Sequence, residues 1–224
     1  MTSEMVWTCR IISPMCTRLY ILLSILLVAC APAVTNRTYI GVSSASSSSH
    51  NSETEALSSP ISRAAERITK KPFGIHITPS SSPVQPERFS GYHTGTDFET
   101  FSEEQESRIQ ISAICNGTVR FRGWMKGYGG VLIQNCTVQD QPVTVLYGHL
   151  NIDSISQNIG SSLTAGSVIG QLGKGFSQET DGERKHLHLG VHRGTAVNYR
   201  GYVQTKEELN AWIDPTELLT PHPS

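Results

Sequence analysis

Basic residues are not in excess in this chain. Its 18 Lys and Arg stand against 19 Asp and Glu, for a formal net charge of −1. Apart from Lys70-Lys71 and Arg184-Lys185 the cations are scattered, which argues against a nucleic-acid partner. A long hydrophobic run is also missing. The longest uncharged apolar stretch, Leu19 to Ala29, is about eleven residues, where a spanning helix needs roughly twenty. Preceded by Arg10 and Arg18, it has the length of a signal-peptide core. No solenoid-period repeat is visible. Cysteine is sparse: of five in total, only Cys115 and Cys136 lie beyond the leader.

The apolar run ends in Leu27-Val28-Ala29-Cys30, which looks like a bacterial lipobox, a motif whose cysteine is acylated and becomes the first mature residue. The expected organisation is a signal peptide with lipobox over 1–30, a Ser-rich flexible linker over 31–70 and a folded domain over 71–220. The linker contains the low-complexity run Ser43 to Ser49 and few apolar residues. On this reading the protein is exported to the cell envelope and anchored to the outer face of a membrane through Cys30. The alternative is a retained leader acting as a signal anchor.

The remainder reads as β-rich. Ile75–Thr78, Gln110–Ile114, Thr118–Phe121, Val131–Ile133, Val143–Tyr147, Val168–Gly173 and Leu187–Val191 are short β-branched or alternating runs between Gly, Asn and Pro. This predicts an all-β, mainly antiparallel fold, a β-sandwich or open barrel with little helix. A short helix is expected over Ile61–Thr69 and another over Lys206–Ile213, stopped by Asp214-Pro215. The Gly-rich stretch from Arg122 to Gly130 reads as a hairpin turn. A turn centred near Met125 and Lys126 brings Cys115 opposite Cys136, either as a disulfide or as two buried thiols.

The chemistry lies in four histidines and an aspartate. His93 and Asp97 are four apart in Gly91-Tyr92-His93-Thr94-Gly95-Thr96-Asp97. The Gly and Thr residues count against a helix, and a fully extended strand would separate the two α-carbons by about 13 Å. A bend at Gly95 is therefore expected. His149 follows the strand ending in Tyr147. His186 and His188 share one face of a strand, with Leu187, Leu189 and Val191 on the other; His192 breaks that alternation and is expected at the surface. Imidazole and carboxylate suit Zn²⁺, and a catalytic zinc keeps one position open.

The order H-x-x-x-D, Y-x-H and H-x-H resembles the lysostaphin-like (LytM-type) zinc metallopeptidases, which cut peptidoglycan peptides. The resemblance covers about Phe73 to Leu219. It includes Tyr128-Gly129-Gly130-Val131, Val168 to Gly173 and Asp214-Pro215. It implies His93, Asp97 and His188 as Zn²⁺ ligands, with His149 and His186 as catalytic histidines. One would move the proton of an activated water, and the other would hydrogen-bond the oxyanion. Tyr147, expected on the face of His149, could assist the oxyanion or simply pack. The charged segment Phe176 to Lys185 departs from the family's short Gly- and Ser/Thr-rich loop, which bears on substrate preference.

Two other readings use the same residues. One is a non-catalytic envelope protein that binds peptidoglycan or activates a cell-wall amidase. The other is a cupin-type metalloenzyme, which normally needs a Glu soon after H-x-H; here the first is Glu207.

Overall fold

A computed structural model describes residues 57–220. The leader, the lipobox with Cys30 and the linker up to residue 56 lie outside the described residues. The strands, in chain order, are β1 (His76–Ile77), β2 (Gly91–His93), β3 (Gly95–Glu99), β4 (Gln110–Ser112), β5 (Gly117–Met125) and β6 (Gly129–Val138). They continue with β7 (Gln141–Leu150), β8 (Ser162–Leu163), β9 (Val168–Gln171), β10 (His186–Arg193), β11 (Tyr202–Val203) and β12 (Trp212–Ile213), before helix α1 (Pro215–Leu219). The fold is all-β and antiparallel.

The main sheet runs β12-β10-β7-β6-β5-β8, with β3 also pairing β10. Strands β1, β2 and β11 make a small second sheet, and β4 pairs β9. Side chains alternate across the main sheet as β geometry requires. Val143, Val145 and Tyr147 of β7 join Leu187, Leu189 and Val191 of β10 in one core with Phe98, Ile111 and Leu132. Burying each such side chain contributes roughly 1.5–3 kcal/mol. The other face of β10 carries His186 and His188.

Cys115 and Cys136 form a disulfide with α-carbons 6.2 Å apart, beside the β5–β6 hairpin. The expected bend in Gly91–Asp97 falls instead at Thr94, between β2 and β3. Gly95 already belongs to β3, and its glycine has another cause. A Cβ there would lie 2.5 Å from the Leu189 carbonyl oxygen and 2.7 Å from His188 Nε2.

Three further expectations are corrected. Packing begins before residue 71: Ile61 lies in the core, and buried Arg67 donates to both carboxylate oxygens of Glu104. The helix expected over Ile61–Thr69 is one 3-10 turn, Ala64–Arg67. Around Lys206–Ile213 only a 3-10 turn, Glu208–Ala211, leads into β12. Asp214-Pro215 starts a helix rather than stopping one. The Asp214 carboxylate accepts from Thr216 N at 2.8 Å, and Pro215 takes the first helical position.

Candidate metal centre

Strand pairing assembles the site. β3 and β10 are antiparallel neighbours in which Asp97 faces His188 and Glu99 faces His186. β2 delivers His93 from the small sheet. His93 Nε2 and His188 Nδ1 are 3.0 Å apart, His188 Nδ1 and Asp97 Oδ1 3.1 Å, and His93 Nε2 and Asp97 Oδ1 3.3 Å. All three side chains are buried. Donors bound at about 2.0 Å to a tetrahedral ion lie about 3.3 Å apart, so this triangle fits zinc. His93 Nδ1 faces the Pro72 carbonyl oxygen at 3.2 Å. That oxygen can only accept, so Nδ1 carries the proton and Nε2 keeps a lone pair aimed at the triangle.

His149 reaches the same face by a local irregularity. Its odd-numbered predecessors Val143, Val145 and Tyr147 point into the core. The register of β6 against β7 slips at this point, Gly130 pairing with Leu150 and Val131 with Gly148, which leaves His149 as the extra residue. Its φ is +62°, in the left-handed region that non-glycine residues rarely occupy. The bulge turns the imidazole toward His186, with ring centroids 4.1 Å apart, and Leu150 then resumes the core face. Next to it Gly148 admits the Tyr128 ring, since a Cβ there would lie 2.5 Å from the ring edge.

Tyr147 is a packing residue. It is fully buried, its hydroxyl donating to Gln134 Oε1 at 3.0 Å and accepting from Ile114 N at 2.8 Å. Two tyrosines, Tyr128 and Tyr202, stand against the histidines of the triangle. The Tyr128 hydroxyl is 3.5 Å from His188 Nε2, and the Tyr202 ring lies 5.2 Å from that of His93. Tyr128 stood only in a turn motif of the sequence, and Tyr202 carried no local signal. His192 is half-buried with its ring against Trp212, at 4.8 Å between centroids.

Burial favours the neutral forms of His149 and His188 beside the Asp97 carboxylate. Burial lowers His149 well below its ordinary value, and the nearby His186 adds to the effect. Burial also brings His188 down to about 4, against the opposing pull of Asp97. For Asp97 burial works upward, but His186, His93 and His188 outweigh it and hold the carboxyl well below its usual range. His149 Nδ1 is buried with no hydrogen-bond partner among the described residues. His186 Nδ1 donates to the Arg184 carbonyl oxygen at 2.9 Å, leaving Nε2 3.3 Å from Asp97 Oδ2.

All five residues singled out in the sequence line one groove of about 240 Å³, together with Tyr128, Arg184 and Tyr202. The model of peptidase family M23 matches residues 91–199, a span holding all five. This segment belongs to peptidase family M23. No curated protein matches it. Among solved structures, this chain is 23% identical to LytU over 67% of its own length and 82% of that chain, with a TM-score of 0.45. Csd3 of Helicobacter pylori is 20% identical over 76% of this chain and 36% of its own, with a TM-score of 0.46. A zinc-containing peptidase from Vibrio cholerae is 18% identical over 75% of this chain and 41% of its own, with a TM-score of 0.44. At such distances the family match carries the assignment.

The M23 segment also holds what the sequence did not foretell. The loop from Phe176 to Lys185, expected to bear on substrate preference alone, enters the candidate metal centre. Arg184 is buried and donates from Nη2 to Asp97 Oδ2 at 2.8 Å.

Proposed function

We propose that this protein is a zinc-dependent endopeptidase that hydrolyses peptide cross-links or stem peptides of bacterial peptidoglycan. The reading rests on one observation above all. A buried His-Asp-His triangle of metal-binding dimensions lies in a groove beside two further imidazoles that take no part in it. Peptidase family M23 is zinc-dependent, which agrees with that donor set.

His93 Nε2, Asp97 Oδ1 and His188 Nδ1 would hold the ion. Zinc bound there supplies a Lewis acid that polarises a peptide carbonyl and acidifies water. The chain's own groups do the rest. His186 has its Nδ1 occupied by the Arg184 carbonyl, so Nε2 is the atom that takes up and returns a proton. His149 has no partner fixing which nitrogen is protonated, and burial keeps it neutral. It is thus suited to donate a hydrogen bond to the developing oxyanion. Tyr128 and Tyr202 wall the groove and limit water.

The five residues are intact, which favours an enzyme over a non-catalytic envelope protein that binds peptidoglycan or activates an amidase. We further propose that the leader directs export and that Cys30 is lipidated, so that the domain works at the outer face of a membrane. The deciding experiment is mass spectrometry of products from defined muropeptides, comparing wild type with His149→Ala, alongside metal analysis of both. Soluble peptide products from the wild type alone, with zinc in both proteins, are expected. No cleavage by a zinc-loaded wild type would sink the peptidase reading.

A further inference from the structure

The charged loop raises the question of why a guanidinium is buried beside a carboxylate that is to bind a dication. Asp97 divides its two oxygens. Oδ1 faces His188 Nδ1 at 3.1 Å and His93 Nε2 at 3.3 Å. Oδ2 faces Arg184 Nη2 at 2.8 Å and His186 Nε2 at 3.3 Å. We propose that Arg184 is a positioning residue that reserves Asp97 Oδ1 for the metal by holding Oδ2, so that Asp97 binds through one oxygen only. This inference rests on the metal-centre reading above.

Arg184 is itself firmly held. Its Nε donates to both Glu99 oxygens, at 3.1 and 2.9 Å, and Nη2 reaches Glu99 as well. Glu99 lies two residues beyond Asp97 on β3, on the same face, so one guanidinium spans both carboxylates. The next residue, Lys185, points away and donates to the carbonyl oxygens of Glu104 and Gln105, both at 3.0 Å, fixing the loop end. Upstream, Asp181 accepts from Arg88 and from Gly127 N, and Trp124 Nε1 donates to the Gln178 carbonyl oxygen. The loop cannot drift without breaking several of these bonds.

Charge separates positioning from field effects. Asp97 with a dication carries a formal sum of about +1. Adding Arg184 and Glu99 together adds nothing, because the two cancel. The pair therefore directs Asp97 without altering the net charge that the ion would feel. For Oδ2 to join the ion, a buried charge-assisted bond would have to break, and such bonds are about twice as strong as neutral ones. Partners of metal ligands typically set metal affinity by about 10–100-fold.

The test uses the full-length chain with Arg184→Gln, Arg184→Lys and Glu99→Gln. Zinc affinity is read by competition with a chromogenic chelator, and coordination by the visible d–d bands of the Co²⁺ form. Arg184→Gln is expected to weaken zinc about 10–100-fold and to dim the Co²⁺ bands, as Asp97 turns to bind through both oxygens. Arg184→Lys keeps one donor and should restore the wild-type spectrum with a smaller loss of affinity. Glu99→Gln should shift both readouts in the direction of Arg184→Gln, by less. If Arg184→Gln does not fold, the other two decide. Wild-type spectra and affinities within about twofold in the folded variants would overturn the assignment, even if their melting temperatures fell. A wild type that retains no zinc would overturn the metal-centre reading itself, and this assignment with it.

Discussion

Asp97 and His188 are direct cross-strand partners, with Asp97 Oδ1 and His188 Nδ1 3.1 Å apart. The β3–β10 register that pairs them also pairs Glu99 with His186, so two rungs on one face of the ladder, either side of the Phe98–Leu187 rung, supply two expected ligands, an expected catalytic histidine and the anchor for Arg184. A slip of one residue would send every one of these side chains to the opposite face. The register is locked by Leu187, Leu189 and Phe98 in the core behind it.

Substituting the expected ligands and the expected catalytic histidines should give different phenotypes. His93→Ala or Asp97→Ala is expected to lose zinc and hydrolysis together. His149→Ala should keep zinc while kcat falls about 10²–10⁴-fold. Metal analysis of the purified variants beside turnover on a muropeptide checks this; equal zinc loss in all three would contradict the roles.

Gly95→Ala should harm the site from behind. The added methyl would press on the Leu189 carbonyl and the His188 ring, so a loss of about 1–3 kcal/mol is expected, with weaker zinc binding. Urea unfolding and chelator competition measure the two effects. A stability change under about 0.5 kcal/mol would mean that β3 and β10 separate easily.

Acid should destabilise the metal-free protein in a defined window. His188 titrates near 4 in the folded state and about 6.5 when unfolded, and His149 is shifted the same way. The unfolded chain therefore binds more protons between these values. Stability is full above about pH 6.5 and declines as the pH falls toward 4, by on the order of 3 kcal/mol for His188 alone. Thermal melts of the chelated protein across this range provide the check; a flat profile would place both imidazoles in contact with water.

Breaking the disulfide should cost stability rather than activity. Cys115 and Cys136 are 21 residues apart, and a loop of that length corresponds to about 3 kcal/mol. Cys115→Ser with Cys136→Ser is expected to lower the unfolding free energy by about this amount, since the bridge lies outside the groove. Zinc content and turnover should hold.

The all-β class, the core face of β10 and the five candidate residues are legible because each is written in local pattern. Leu187, Leu189 and Val191 alternate with His186 and His188, and a period of two admits one reading. The helix expected before Asp214-Pro215 failed because Asp and Pro are N-terminal signals that also resemble a stop. Tyr147 takes the packing role of its two expected ones, and it lies off the face of His149 for a related reason. Strict alternation puts it on the face of His149, and nothing local announces the bulge that separates them.

Local pattern supplies the chemical groups, an imidazole and carboxylate set with zinc-binding character, and the strands that carry most of them. The folded chain sets where those groups meet: His93 closing the triangle from a second sheet, His149 re-aimed by its own left-handed backbone, and Arg184 entering from a loop expected to bear on substrate preference. The physical reason is range. Strand period and residue chemistry act over a few neighbours, whereas the bonds of Arg184 to Asp97 and Glu99 span 87 and 85 residues and exist only once the sheet has formed.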